Sequence, residues 1–136
     1  MRAKMHTRWR RQGGQSLVET AIMIVLILTM VFSVFELGWL MYTYSVLADA
    51  ANEGVRYAIV HSGADPSGTQ ARVKTFAGTS MHDIRALTTA VTFPDGSATP
   101  PNRVRVTVTY TYIPYLPKFS MAPTMHTFAE GRMVTQ

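Results

Sequence analysis

Glu19 is the residue most in need of a chemical explanation. It is a lone carboxylate at the mouth of the uncharged, apolar run Thr20 to Phe35, preceded by Gly13 and Gly14 and by the cations Arg2, Lys4, Arg8, Arg10 and Arg11. A carboxylate at the start of a membrane-length segment is unfavourable unless it finds a cation or stays at the interface. Two readings are open, and they are compatible. In the first, Ser16-Leu-Val-Glu19 is a capping box, with Ser16 capping a helix and Glu19 reaching back to the Ser16 amide near the positive helix end. In the second, the chain is cut after Gly14, Glu19 becomes the fifth residue of the shortened chain, and an amine from a neighbouring subunit neutralises it.

Other groups capable of chemistry are sparse. The four histidines, His6, His61, His82 and His126, have no metal-ligand spacing, and cysteine is absent, so neither a metal site nor a disulfide is expected. There is no G-x-S-x-G, P-loop, dinucleotide fingerprint or paired-carboxylate arrangement. His82-Asp83 with a distant serine would make a hydrolytic set, but adjacent residues in a loop are the ordinary case. We expect a non-enzyme with no cofactor and no small-molecule substrate.

The elements that position Glu19 follow from the apolar run. The seventeen steps from Glu19 to Glu36 rise about 25 Å as a helix, close to the roughly 30 Å hydrocarbon thickness of a bilayer. Five cations on the N-terminal flank and none close on the other side predict a cytoplasmic N-terminus and an outward remainder. Trp39, Tyr42 and Tyr44 fall where an interfacial aromatic belt belongs; their alternative place is the core of the outer domain. Ala48-Asp-Ala50 resembles a secretory cut site, but the apolar core before it is too long for a signal peptide.

Charge distribution excludes a further class. The 136-residue chain carries a formal charge of +5, yet residues 15 to 136 hold eight basic and eight acidic side chains, so the excess belongs to the leader. The body has no surplus to offer a phosphate backbone, and no nucleic-acid partner is expected.

Beyond Glu36 the apolar residues become periodic. Leu37, Leu40, Met41, Tyr44, Leu47, Ala48, Ala51, Val55, Ala58 and Ile59 follow steps of three and four, one face of an amphipathic helix. Asp49, Asn52, Glu53 and Arg56 take the other side, with Glu53 and Arg56 spaced to pair weakly. A single helix from about Ser16 to Val60 is predicted. Gly38 and Gly54 cost ~1 kcal/mol each relative to Ala inside it, so each is expected to have a packing reason. Arg56 and Tyr57 fit either a solvated face or a contact surface. Gly63 is placed to end this helix, and Asp65-Pro66 to cap and start the next, Gln70 to Ala77, closed by Gly78, with Ala71 or Val73, Phe76 and Ala77 inward.

From Leu87 the period changes to two. Leu87 to Phe93, Arg103 to Ile113 and His126 to Val134 read as strands, with Pro114 and Pro117 stopping the second. Val104, Val106, Val108, Tyr110 and Tyr112 share one face, and the amphipathic helix is the large apolar surface available to cover it. The fold class expected is α+β: a long N-terminal helix, a short second helix, and an antiparallel sheet of about three strands packed on the long helix. The domains read as a basic leader 1–14, a transmembrane helix 15–38 and an extracytoplasmic domain 39–136.

Gly14-Gln-Ser-Leu-Val-Glu19 resembles the class III signal of type IV pilin-like proteins. Ala48-Asp-Ala-Ala-Asn-Glu-Gly-Val-Arg-Tyr-Ala58 is similar to the block carried by TadE-like pseudopilins of the tight-adherence (Tad, Flp) pilus systems, with Ala51, Glu53, Gly54, Arg56, Tyr57 and Ala58 as the matching positions. Together the motifs cover about residues 13 to 60; Thr20 stands where members commonly place an aromatic. The resemblance implies a minor pseudopilin of pilus assembly, since major Flp pilins are much shorter. It implies prepilin peptidase cleavage between Gly14 and Gln15, a role for Glu19 in assembly, and residence in the bacterial inner membrane. The implied partners are other pilin-like subunits and the Tad secretion machinery. The alternatives are a membrane-anchored extracytoplasmic binding or sensing module, and a hydrolase released after Ala50.

Overall fold

The computed structural model describes residues 12–61, 65–115 and 122–134. The leader residues 1–11, the Gly63 helix stop and Pro117 lie outside them. Five elements follow in the order α1 (Gln12–Val60), α2 (Pro66–Ser80), β1 (Leu87–Thr92), β2 (Arg103–Thr111) and β3 (Thr124–Arg132). The chain divides into two units, one ending at Phe35 and the other beginning at Glu36.

The first unit is the apolar part of α1. Leu17, Val18 and the large apolar residues from Ile22 to Phe35 are exposed, and α1 contains a stretch long and apolar enough to cross a membrane. Three of its hydroxyls are bonded within the helix. Thr20 Oγ1 donates to the Ser16 carbonyl at 2.9 Å, Thr29 Oγ1 to Val25 at 2.8 Å and Ser33 Oγ to Thr29 at 2.8 Å. A hydroxyl bonded to the carbonyl four residues back asks nothing of its surroundings, which suits it to a medium without water.

The second unit is a three-stranded antiparallel sheet, order β1-β2-β3, with α1 and α2 packed against it. Strict alternation puts Val104, Val106, Val108 and Tyr110 of β2 inward, with Tyr112 just beyond, and all five are buried. Register sets Val106 opposite Val91 on one side and Ala129 on the other. The strands match the expected ones to within two residues at each end.

The buried face of α1 keeps Leu47, Ala51, Val55 and Ala58 of the expected one, adds Thr43, Val46 and Ala50, and leaves out its N-terminal members. Thr43, Val46, Leu47, Ala50, Ala51, Val55 and Ala58 are buried, whereas Leu37, Met41 and Tyr44 are 61%, 71% and 51% exposed. The cause is size. Alanine, glycine and threonine let the backbone of α1 approach the sheet, while larger side chains at those positions would hold it away. Thr43 fits because its hydroxyl donates to the Trp39 carbonyl at 2.9 Å, leaving its methyl for the core.

Gly54 marks the closest approach: a Cβ there would lie 2.6 Å from Val73 Cγ2 of α2 and 3.1 Å from Val106 Cγ1 of β2. Gly131 of β3 is similar, with Val55 Cγ1 at 2.7 Å and Ile59 Cγ2 at 3.0 Å. Gly38 departs from expectation, since a Cβ there would meet nothing within 4 Å.

α2 is longer than the predicted Gln70 to Ala77. Asp65 caps it, its Oδ1 accepting the Gly68 amide at 2.8 Å and the Ser67 hydroxyl at 2.7 Å, and Pro66 opens the first turn. These bonds, the Ser67 one first, hold the Asp65 carboxyl below the usual aspartate value. Gly78 lies inside the helix and does not close it, and the inward residues are Thr69, Val73 and Ala77, with Ala71 and Phe76 exposed.

Candidate functional site

Helix α1 already runs through Gly14, Gln15 and Ser16, so Ser16 is an interior residue and does not cap. The expected capping box is not formed. The carbonyl of Ser16 accepts from Thr20, and Glu19 instead takes the side chain of Gln15, whose Nε2 donates to Oε1 at 3.2 Å. Both residues are exposed, and space around Gly14 is open. Among the described residues, the Glu19 carboxylate thus accepts one hydrogen bond, from a neutral amide.

The block from Ala51 to Ala58 divides by helical position into two tasks. Ala51, Gly54 and Ala58 are buried and form the smooth surface against which α2 and the sheet close. Glu53, Arg56 and Tyr57 stand at the rim facing α2 and the start of its loop. Glu53 does not pair with Arg56; its Oε1 accepts from Arg72 of α2 at 2.6 Å and 2.9 Å. The i+3 partner loses because the Arg72 guanidinium delivers two donors to one oxygen. Tyr57 stacks on His61 with ring centroids 3.9 Å apart, and its hydroxyl lies 3.4 Å from Asp65 Oδ2. Arg56 is exposed and borders a shallow groove of about 490 Å³ with Asp49, Asn52, Glu53, Val55 and Phe76. Ordering the start of α2 against α1 is what this rim accomplishes.

A second constellation has no local signature in the sequence. Tyr112, just past β2, donates its phenolic hydrogen to Glu36 Oε1 at 2.7 Å, and the Tyr115 backbone amide donates to the same oxygen at 3.2 Å. Burial, followed by the hydrogen bond to the carboxylate, pushes the Tyr112 phenol well above its ordinary range. One turn along α1, Trp39 packs against the core and contacts Tyr42, Tyr115 and His82 at centroid distances of 5.3, 5.4 and 6.3 Å, while His82 stacks on Tyr115 at 4.7 Å. Of the expected belt, Trp39 is therefore partly a core residue, whereas Tyr42 and Tyr44 are exposed. The available signal was Glu36 itself, a carboxylate ending an apolar run, but its partner lies 76 residues away in the chain.

In the His82-Asp83 pair the carboxylate is engaged by an arginine. Asp83 is held by Arg85, side chain at 2.6 Å and backbone amide at 2.8 Å, which keeps its carboxyl down at about 2. Among the described residues, no three His, Asp or Glu side chains are grouped to hold a metal ion.

The two units define the class: an α+β protein carrying one N-terminal helix apolar enough to span a membrane. More particularly, the model of the TadE-like protein family matches residues 14–56, so this segment is similar to that family. The match begins at Gly14 and spans Glu19, Ala51, Glu53, Gly54 and Arg56, with Tyr57 and Ala58 just past its end. No curated protein and no solved structure matches the chain.

Proposed function

We propose that the protein is a minor pseudopilin of a Tad-type pilus assembly, processed by prepilin peptidase between Gly14 and Gln15. In this reading residues 15–38 anchor it in the inner membrane with the N-terminus cytoplasmic, and residues 39–136 form the extracytoplasmic domain. Its partners are other pilin-like subunits and the Tad secretion machinery, engaged in surface attachment, and it acts without enzymatic activity or cofactor. The observation that carries this reading is the TadE-like match, which takes in the Gly14 to Glu19 signal and most of the Ala51 to Ala58 block in one stretch.

Glu19 supports it chemically. Among the described residues it takes one hydrogen bond, from an exposed neutral amide at 3.2 Å, which a cationic amine from a neighbouring subunit can displace with gain. Mass spectrometry of protein extracted from membranes, with a prepilin peptidase co-expressed, is expected to find Gln15 as the first residue. An intact chain starting at Met1 under those conditions overturns the reading. Glu19→Gln is expected to reduce pilus formation while leaving membrane insertion unchanged; unchanged pilus formation would remove the intersubunit role of Glu19.

A further inference from the structure

We propose that Gln15, once it becomes an amino terminus, is a self-modification site, and that Glu19 keeps it open. This rests on the reading that the chain is cut after Gly14. A glutamine in first position carries its own electrophile. The neutral α-amine attacks the side-chain Cδ, the N–Cδ bond forms, the Cδ–Nε2 bond breaks, and Nε2 departs as ammonia with a proton shed by the α-nitrogen. The product is a five-membered lactam, lighter by one ammonia, and no oxidant or other reactant is consumed.

Ring closure requires an amine that is not protonated and a side chain folded back onto its own backbone nitrogen. Glu19 opposes both. Its Oε1 accepts Gln15 Nε2 at 3.2 Å, which ties the amide to the residue four positions on, a bond that folding the side chain back onto its own nitrogen must break. A carboxylate close by also favours the ammonium form of an amine, and an ammonium has no lone pair to attack with. Both side chains are exposed, so no packing restrains Gln15 in place of this bond. Cyclisation has a consequence for assembly. A lactam nitrogen carries no charge, so a cyclised copy offers nothing to set against Glu19 of a neighbouring subunit.

The test follows the amino-terminal peptide of the full chain, processed by co-expressed prepilin peptidase and extracted in detergent, by mass spectrometry over time. Wild type, Glu19→Gln, Glu19→Ala and Gln15→Ala are compared. Processed wild type is expected to keep an open Gln15, and Glu19→Ala to lose ammonia about two- to tenfold faster, the range expected for loss of one hydrogen bond. Glu19→Gln should fall between them, since its amide oxygen still accepts while the charge is gone. Equal rates in wild type and both Glu19 variants, or a loss of ammonia that persists in Gln15→Ala, overturn the proposal. A second preparation, in which residues 1–14 are replaced by a tag whose removal leaves Gln15 first, separates the two ideas. A retained leader in the first preparation then defeats the processing reading alone, while equal rates in the second defeat the role of Glu19.

Discussion

Tyr112 and Glu36 are joined by a hydrogen bond of 2.7 Å that ties the end of β2 to the helix on the far side of the chain. The phenol is buried and its oxygen faces a carboxylate, so its ionised form is doubly disfavoured in the folded protein. A group whose value is raised on folding stabilises fully below its unfolded value, here 10.0, and that contribution is lost as pH rises above it toward the folded value. Thermal unfolding in detergent is expected to show an alkaline loss of stability beginning near pH 10.0, and Tyr112→Phe to flatten it. The same variant should cost about 1–3 kcal/mol at neutral pH, because it removes a bond to a charged acceptor.

Gly54 and Gly38 lie on the same helix and should respond oppositely to alanine. At Gly54 the new methyl would sit 2.6 Å from Val73 Cγ2, and overpacking of about 1–3 kcal/mol outweighs the ~1 kcal/mol gain in helix propensity. At Gly38 nothing lies within 4 Å, so Gly38→Ala should be neutral or stabilising by up to ~1 kcal/mol. Paired melts of the two variants check the contrast; a stabilised Gly54→Ala would show that the helices separate readily.

Two aspartates contribute to the acid limit alongside Asp65. Hydrogen bonds from Arg85 hold Asp83 at about 2, and those from Arg103 hold Asp95 at about 2, both below the unfolded value of 3.8. Depressed values stabilise above the unfolded value and cease to do so as pH falls through the folded one. Stability should therefore fall between pH 3.8 and about 2, and the double variant Asp83→Asn with Asp95→Asn should flatten that limb in an acid titration followed by circular dichroism.

The Glu53–Arg72 pair spans α1 and α2 at 2.6 Å but is partly solvated. A double-mutant cycle with Glu53→Gln and Arg72→Gln is expected to give a coupling of about 0.2–1 kcal/mol, reduced by salt. A coupling much above that range would contradict the partly solvated geometry of the pair.

What could be seen in the chain beforehand was whatever obeys a short period. The two-residue alternation of Val104 to Tyr112 and the apolar run after Glu19 translate directly into β2 and α1. The face of α1 was less legible at its start, because counting apolar residues rewards Met41 and Tyr44, whereas packing rewards Thr43, Val46 and Ala50. Capping was legible at Asp65, where proline fixes the start, and misleading at Ser16, where α1 begins earlier at Gln12. Gly14 and Glu19 stand out by charge and spacing alone. Glu36 with Tyr112, and Glu53 with Arg72, do not, since nothing local says which distant partner a carboxylate will find.

Thr29 and Ser33 give their hydroxyl hydrogens to carbonyls of their own helix. Were α1 to lie in a bilayer, those hydrogens would not be on offer to a helix alongside, and its apolar length would have little polar adhesive to share there. Lateral recognition would be left to the relief of Ile, Leu, Met and Phe side chains meshing tooth by tooth, a mode of association that depends on contour.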